Sequence, residues 1–282
     1  MRSNHLINST FNPFPYTPFM KNSLLTISLS LFSGLLFAQN PAWQGKKCAV
    51  ALTYDDGLQV HLDNVVPALD SLGFKGTFYL SGSFPGVTAR VADWKKAATH
   101  GHELANHTLF HPCTGGPGRE WVKPDRDLSA YTVPRIVDEI RMTNTFLEAL
   151  DGKKQRTFAY PCGDRTIGGT YYFNQVKGDF VAARGTASEM RQPTAVDLAN
   201  VGAYGINGQT GEQMIALVKQ AMATNSVLVF LFHGVGGEHN LNVALPEHRK
   251  LLQFLKQHEN EIWIAPFIDV AQSVKVKGTT GK

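Results

Sequence analysis

Cys48-Ala-Val-Ala-Leu-Thr-Tyr-Asp55-Asp56-Gly57 is an apolar run closed by two carboxylates and a glycine. An apolar run of this length, bounded by turn chemistry, reads as a strand buried on both faces, the habit of parallel sheets. Working outward, the pattern alternates. A helix is expected over 61–72, a strand at TFYL (77–80), a helix at 93–99, and the segment ELANH (103–107). A Gly- and Pro-rich loop covers 112–124, and a helix over 133–150 sets Ile136, Ile140 and Leu147 on one face. Further strands are expected at RTFAY (156–160), DFVAA (179–183), LANVGAY (198–204), SVLVFLF (226–232) and EIWIA (261–265), with helices at 211–223 and 245–258. Strands and helices in this alternation predict an α/β protein, a single distorted (β/α) barrel of seven or eight units, TIM-barrel-like.

The 282 residues, 43% of them hydrophobic, suffice for one large domain with its own core. Residues 1–38 contain no Asp or Glu, and an apolar stretch over 24–38 follows Lys21 and ends at Ala38. This is the pattern of a signal peptide cleaved near Ala38, with Met20 as an alternative start. The apolar stretch is short for a membrane span of about twenty residues, so no stable span is expected in the mature protein. The expected domain is therefore 39–282, secreted or periplasmic. Net charge is +4, half of it from Arg2 and Lys21 in the leader, and no basic run points to nucleic acid. Cys48, Cys113 and Cys162 lack the spacing of a zinc knot.

In a parallel barrel the residues after each strand share one rim. Asp55 and Asp56 close the first strand, His107 and His111 follow the third, Pro161 to Asp164 follow RTFAY, and His233 follows SVLVFLF. A hydrolytic divalent metal wants three protein ligands, with imidazole and carboxylate the usual donors. His107 and His111 with one aspartate meet that need. Neighbouring residues at a strand end point apart, so the two aspartates divide into ligand and base.

These motifs resemble those of the polysaccharide deacetylases, a carbohydrate esterase family that includes chitin, peptidoglycan and nodulation-factor deacetylases. TYDDG (53–57), HTLFH (107–111) and LFH (231–233) match three of its ordered motifs. The resemblance implies that Asp55 is the catalytic base, that Asp56, His107 and His111 hold one divalent metal, and that His233 is the catalytic acid. Zinc is the expected ion, and cobalt or nickel also suits the donors. In the third motif, FAYPCG (158–163), the backbone N–H of Cys162 takes the oxyanion place, and Tyr160, Pro161 and Leu231 fall in substrate-binding positions. The motif's usual arginine is replaced by Ala159; Arg184 is a candidate substitute, against a solvated charge at a strand end. The family's fourth motif, an Asp- and Trp-containing segment, is not identified in the sequence. The implied reaction removes N-acetyl groups from a GlcNAc-containing glycan. O-acetyl esters such as those of xylan, and an inactive carbohydrate-binding member, are the alternatives.

HELANH (102–107) is one residue too long for the H-E-x-x-H zinc helix, so His102 and Glu103 read as structural. Cys113 and Cys162 both fall beside the metal, as a disulfide or as two thiols, while Cys48 reads as a buried thiol. Trp121, in the polar loop REWVKPDRD, is the best sugar-stacking candidate, ahead of Tyr131 and Tyr172, with Trp263 read as core. The GGEHN segment (236–240) reads as a plain loop, with added polar contacts at the site the alternative.

Overall fold

A computed structural model describes residues 42–279. The expected leader lies outside the described residues. Eight strands form one sheet: β1 (Cys48–Asp55), β2 (Thr77–Leu80), β3 (Glu103–Asn106), β4 (Phe158–Ala159), β5 (Ala183–Arg184), β6 (Tyr204–Gly205), β7 (Val227–Phe232) and β8 (Ile262–Ile264). All their pairings are parallel, in the order β5-β4-β3-β2-β1-β7-β6. β8 pairs with Cys48–Val50 of β1 and β2 with Thr53–Asp55, so β8 splits the two strands at the bottom of the barrel. Val201 bridges to Arg184 and draws the β5 and β6 ends together.

The crossovers carry α1 (Val66–Leu72, entered through a π turn over His61–Val65), α2 (Val91–Thr99), α3 (Val133–Asp151), α4 (Gly211–Thr224), α5 (Leu245–Gln257) and α6 (Phe267–Thr279). Thr132 caps α3, and a Thr210/Gln213 capping box starts α4. The expected distorted (β/α) barrel is thus observed. The largest shortfall is on the β4–β6 side, where strands expected to run five to seven residues pair over only two each.

Alternation along each strand sorts the core into two layers. Cys48, Val50, Leu52 and Tyr54 point out to the helices, where they join Val65, Leu69, Met214, Val218 and Leu251. Ala49 and Ala51 point into the barrel with Ala105, Ala159, Ala182, Ala203 and Val229. Alanines at these positions let a narrow ring close without voids. At the bottom the buried Glu103 carboxylate accepts hydrogen bonds from Thr77 Oγ1 (2.8 Å), from Thr157 N and Oγ1 (2.9 and 2.7 Å) and from Ile268 N (3.0 Å). It ties β2, β4 and α6 to β3, which is the structural role expected of it. His102 Nδ1 likewise accepts the N–H of Gly76.

Candidate metal and catalytic centre

The inward series of each strand runs upward into the polar residues: Ala51, Thr53, Asp55 on β1; Glu103, Ala105, His107 on β3; Val229, Leu231, His233 on β7. Residues spread over nearly the whole domain meet at one rim for that reason. Register sets their heights, since Thr53 lies level with Leu231 and Asp55 with Tyr79.

Asp56 turns off the end of β1 at φ 78°, followed by Gly57 at φ 66°. A side chain at Gly57 would meet Val87 Cγ2 at 2.4 Å, so this tight reversal requires glycine. The reversal places Asp56 Oδ1 3.7 Å from His107 Nε2 and 3.4 Å from His111 Nε2. The donor atoms of Asp56, His107 and His111 all lie within 4.8 Å of one another. Asp56 Oδ1 is buried and without a hydrogen-bond partner. His107 Nδ1 donates to the Ala159 carbonyl at 2.8 Å, which leaves Nε2 with its lone pair facing the site. A tetrahedron with bonds of about 2.0–2.1 Å has edges of roughly 3.3 Å, so this donor set fits a divalent ion of that size.

Asp55 borders the same site, its Oδ2 3.8 Å from His107 Nε2, but has a partner of its own. Its carboxylate accepts from Arg184 Nη2 at 2.6 and 2.5 Å, and Arg184 is fully buried with its guanidinium over the Tyr79 ring. Arg184 is therefore an internal partner of Asp55, and the solvated reading is excluded. The signal was in the strand: Ala182 faces inward, so Arg184, two residues on, must too. Burial pushes the Asp55 carboxyl up, but Arg184, then His107 and His233, outweigh it and hold the pKa below its ordinary value.

His233 Nδ1 is buried and unpartnered, and its ring stacks on His239 at 4.7 Å. Burial, ahead of the opposing pull of Asp55 and Asp56, holds His233 below the usual imidazole range. The segment read as a plain loop thus touches the site through His239. Sequence reasoning also passed over His61, whose Nε2 donates to the His233 carbonyl at 2.7 Å and fixes the backbone there.

Cys113 and Cys162 form a disulfide, with Cα atoms 5.8 Å apart, while Cys48 is a free buried thiol pushed up to about 12 by burial. Cys162 sits at φ 56° in the turn Pro161–Gly163 after β4. Trp121 is 62% exposed and lines a cavity of about 320 Å³ that begins at His111 and includes Phe84, Phe110 and Lys123. Other expected contact residues are differently placed. The Tyr160 hydroxyl donates to the Ala199 carbonyl, Pro161 is buried, and Leu231 lies in the barrel wall. None of the three presents an open side chain; Tyr160 packs outward against Phe158, Tyr172 and Phe173. Tyr131 and Tyr172 are buried as well, Tyr131 under Arg135, so neither offers a free sugar-stacking face.

A family model for polysaccharide deacetylase matches residues 43–174. The chain is 32% identical over 103 residues to the uncharacterized protein YlxY of Bacillus subtilis, covering 36% of this chain and 27% of that one. It is 22% identical over 273 residues to a gellan lyase of a Bacillus species, covering 86% of this chain and 10% of the lyase. The chain thus spans a small part of the length of both curated relatives. Among solved structures, a Mycobacterium smegmatis protein whose name places it with the polysaccharide deacetylases superposes with a TM-score of 0.61 at 14% identity, over 83% of this chain and 92% of its own. The peptidoglycan deacetylase PdaC of B. subtilis gives 0.50 at 13% identity, over 84% and 95%. BA3943 of Bacillus anthracis, a CE4 family pseudoenzyme, gives 0.50 at 16% identity, over 80% and 66%. At these identities the likeness is one of fold.

Proposed function

Because the chain belongs, through residues 43–174, to the polysaccharide deacetylase family, we propose that it is a metal-dependent hydrolase that removes N-acetyl groups from a GlcNAc-containing glycan, releasing acetate and the amino sugar. The observation that carries this reading is the buried, unpartnered Asp56 Oδ1 facing the Nε2 atoms of His107 and His111. These three residues would hold one divalent ion, zinc by the donor set, with cobalt or nickel also suited. Such an ion, when bound, lowers the pKa of water and polarises a carbonyl oxygen.

The chain's own groups divide the remaining work. Asp55, kept ionised by Arg184, takes a proton from the attacking water. The Cys162 backbone N–H meets the oxygen on which charge develops. His233 protonates the departing amine. Burial holds its pKa below the usual imidazole range, and the proton that Asp55 takes from the water balances the one given to the amine. The Arg184–Asp55 pair argues against an inactive, purely binding protein, because it restores the partner that Ala159 removes from the third motif.

Signal-peptide cleavage near Ala38 would place the domain outside the cytoplasm, and the disulfide accords with an oxidising compartment. The deciding measurement is acetate release from chitooligosaccharides, peptidoglycan and acetylxylan by metal-loaded protein, with and without chelator. Release from the N-acetylated glycans that disappears with chelator and in Asp55→Asn is expected. Release from acetylxylan alone would convert the reading to an O-acetyl esterase, and no release from any substrate would overturn it.

A further inference from the structure

We infer that the Cys113–Cys162 disulfide is a clamp that positions His111 and the Cys162 backbone N–H relative to one another, so that a dithiol reductant slows hydrolysis while the barrel stays folded. The inference rests on the site roles proposed above. The bridge joins the two irregular segments that carry those groups, closing a separation of 49 residues. One cysteine stands two residues beyond His111, with Sγ 3.6 Å from His111 Nδ1; the other is itself the proposed oxyanion position.

Both groups are held in an unfavourable backbone conformation. His111 has φ 53° and Cys162 φ 56°, in the left-handed region that non-glycine residues avoid. Such conformations persist only where the surroundings enforce them. The other restraints are non-covalent: the Phe84 ring lies 5.6 Å from His111, Cys113 pairs through its backbone with Arg126 and Leu128, His111 N donates to Thr108 Oγ1, Thr114 N to Asp164 Oδ2, and Arg119 to Asp164 and to the Cys162 carbonyl. Arg119 is one-third exposed, so its contribution is small. The disulfide is the covalent restraint between the two segments. Neither cysteine belongs to the apolar clusters that build the barrel, which is why the fold should survive without the bridge.

Cys113 is 1% exposed and Cys162 is more open, so an external thiolate attacks the Cys162 sulfur and Cys113 departs as thiolate. The reductant's second thiol then displaces Cys162. Two electrons and two protons pass to the cysteines, and the reductant leaves as its own disulfide. Cys48, buried and raised to about 12, does not compete in the exchange.

The test compares zinc affinity of the oxidised chain and of the Cys113→Ala/Cys162→Ala variant, by competition with a chromophoric chelator. Alanine is chosen because free thiols beside His111 would themselves bind zinc. Zinc binding about 10–100-fold weaker is expected in the variant, the usual cost of losing support behind a ligand. A cooperative melt would show that the variant is folded. In parallel, wild-type protein is reduced with a phosphine, which takes the oxygen of one water while both sulfurs receive its protons. A fall in kcat of about tenfold or more with little change in KM is expected, reversed on reoxidation and matched in the alanine variant, which has no thiols there to bind zinc. Unchanged zinc affinity in a folded variant, or unchanged kcat on full reduction, would overturn the clamp. Failure of every form to release acetate would instead sink the proposed reaction, and the zinc affinities would still decide the clamp.

Discussion

β1, β2, β3 and β7 run for eight, four, four and six residues, whereas β4, β5 and β6 have two residues each. On the long side, ladder hydrogen bonds fix where Asp55, His107 and His233 stand. On the short side the ladder is nearly absent, and side chains do the holding instead: Arg184 on Asp55, the disulfide on Cys162, and buried Arg156 on the Leu104 carbonyl and Asp151. Chemistry and scaffold are therefore separable on the long side and entangled on the short one. A substitution in the first region should remove function alone, while one in the second should disturb function and stability together.

The largest effect is expected from His233→Ala. Loss of a general acid lowers kcat by about 10²–10⁴-fold, yet the ladder is untouched and His233 Nδ1 has no partner to lose. Zinc content and melting temperature should stay near wild type; a collapse of both would break the separation. Arg184→Met is the opposite case. It leaves Asp55 buried without its cation, for which about 3–5 kcal/mol of stability should be lost in denaturant titration. Since Arg184 helps hold the Asp55 pKa down, its removal raises that pKa, and the acidic limb of kcat/KM should move to higher pH. An unmoved limb would remove Arg184 from the site.

The same division explains what the sequence revealed. Strand CAVALTYD, its Asp-Asp-Gly turn and HTLFH lie where periodicity and motif agree, so the long side and its ligands were legible. RTFAY and DFVAA have strand composition but pair over two residues only, because composition reports burial and not how long a partner strand runs alongside. Arg184 looked like a surface charge because its counter-ion lies 129 positions earlier in the chain. Tyr160 and Leu231 occupy motif positions, yet strand parity and packing, which motifs do not encode, turn Tyr160 outward among Phe158 and Phe173 and set Leu231 in the barrel wall.

The long side has a weakness of its own, which is acid. His248, on the buried face of α5, has its Nε2 paired with the Tyr54 hydroxyl of β1 at 2.9 Å, and burial lowers its pKa to about 3. The unfolded chain takes up this proton near pH 6.5, so between 6.5 and about 3 the unfolded state binds more protons. Stability is full above that window and falls within it as pH drops, by at most about 1.4 kcal/mol per pH unit for this one group. His248→Gln can keep a hydrogen bond to Tyr54 without titrating and should flatten the slope of unfolding free energy against pH between 4 and 6. An unchanged slope would shift the acid sensitivity to His61 and His102, both lowered to about 4.

The smallest effect concerns the loop that leaves the rim beside His111. Trp121 is the most exposed large apolar side chain among the described residues, and it lines the cavity that starts at a proposed metal ligand. Its exposure means that removing it uncovers no core, so Trp121→Ala should leave the melt within experimental error. If the indole face stacks on a sugar unit flanking the one that reacts, KM for an oligosaccharide should rise by about five- to tenfold, the loss of roughly 1 kcal/mol or slightly more of binding. For a single acetylated sugar, too short to reach the loop, KM should not change. Equal effects on both substrates would mean that Trp121 shapes the His111 turn, and the short side would then reach further into the metal site than its clamps alone imply.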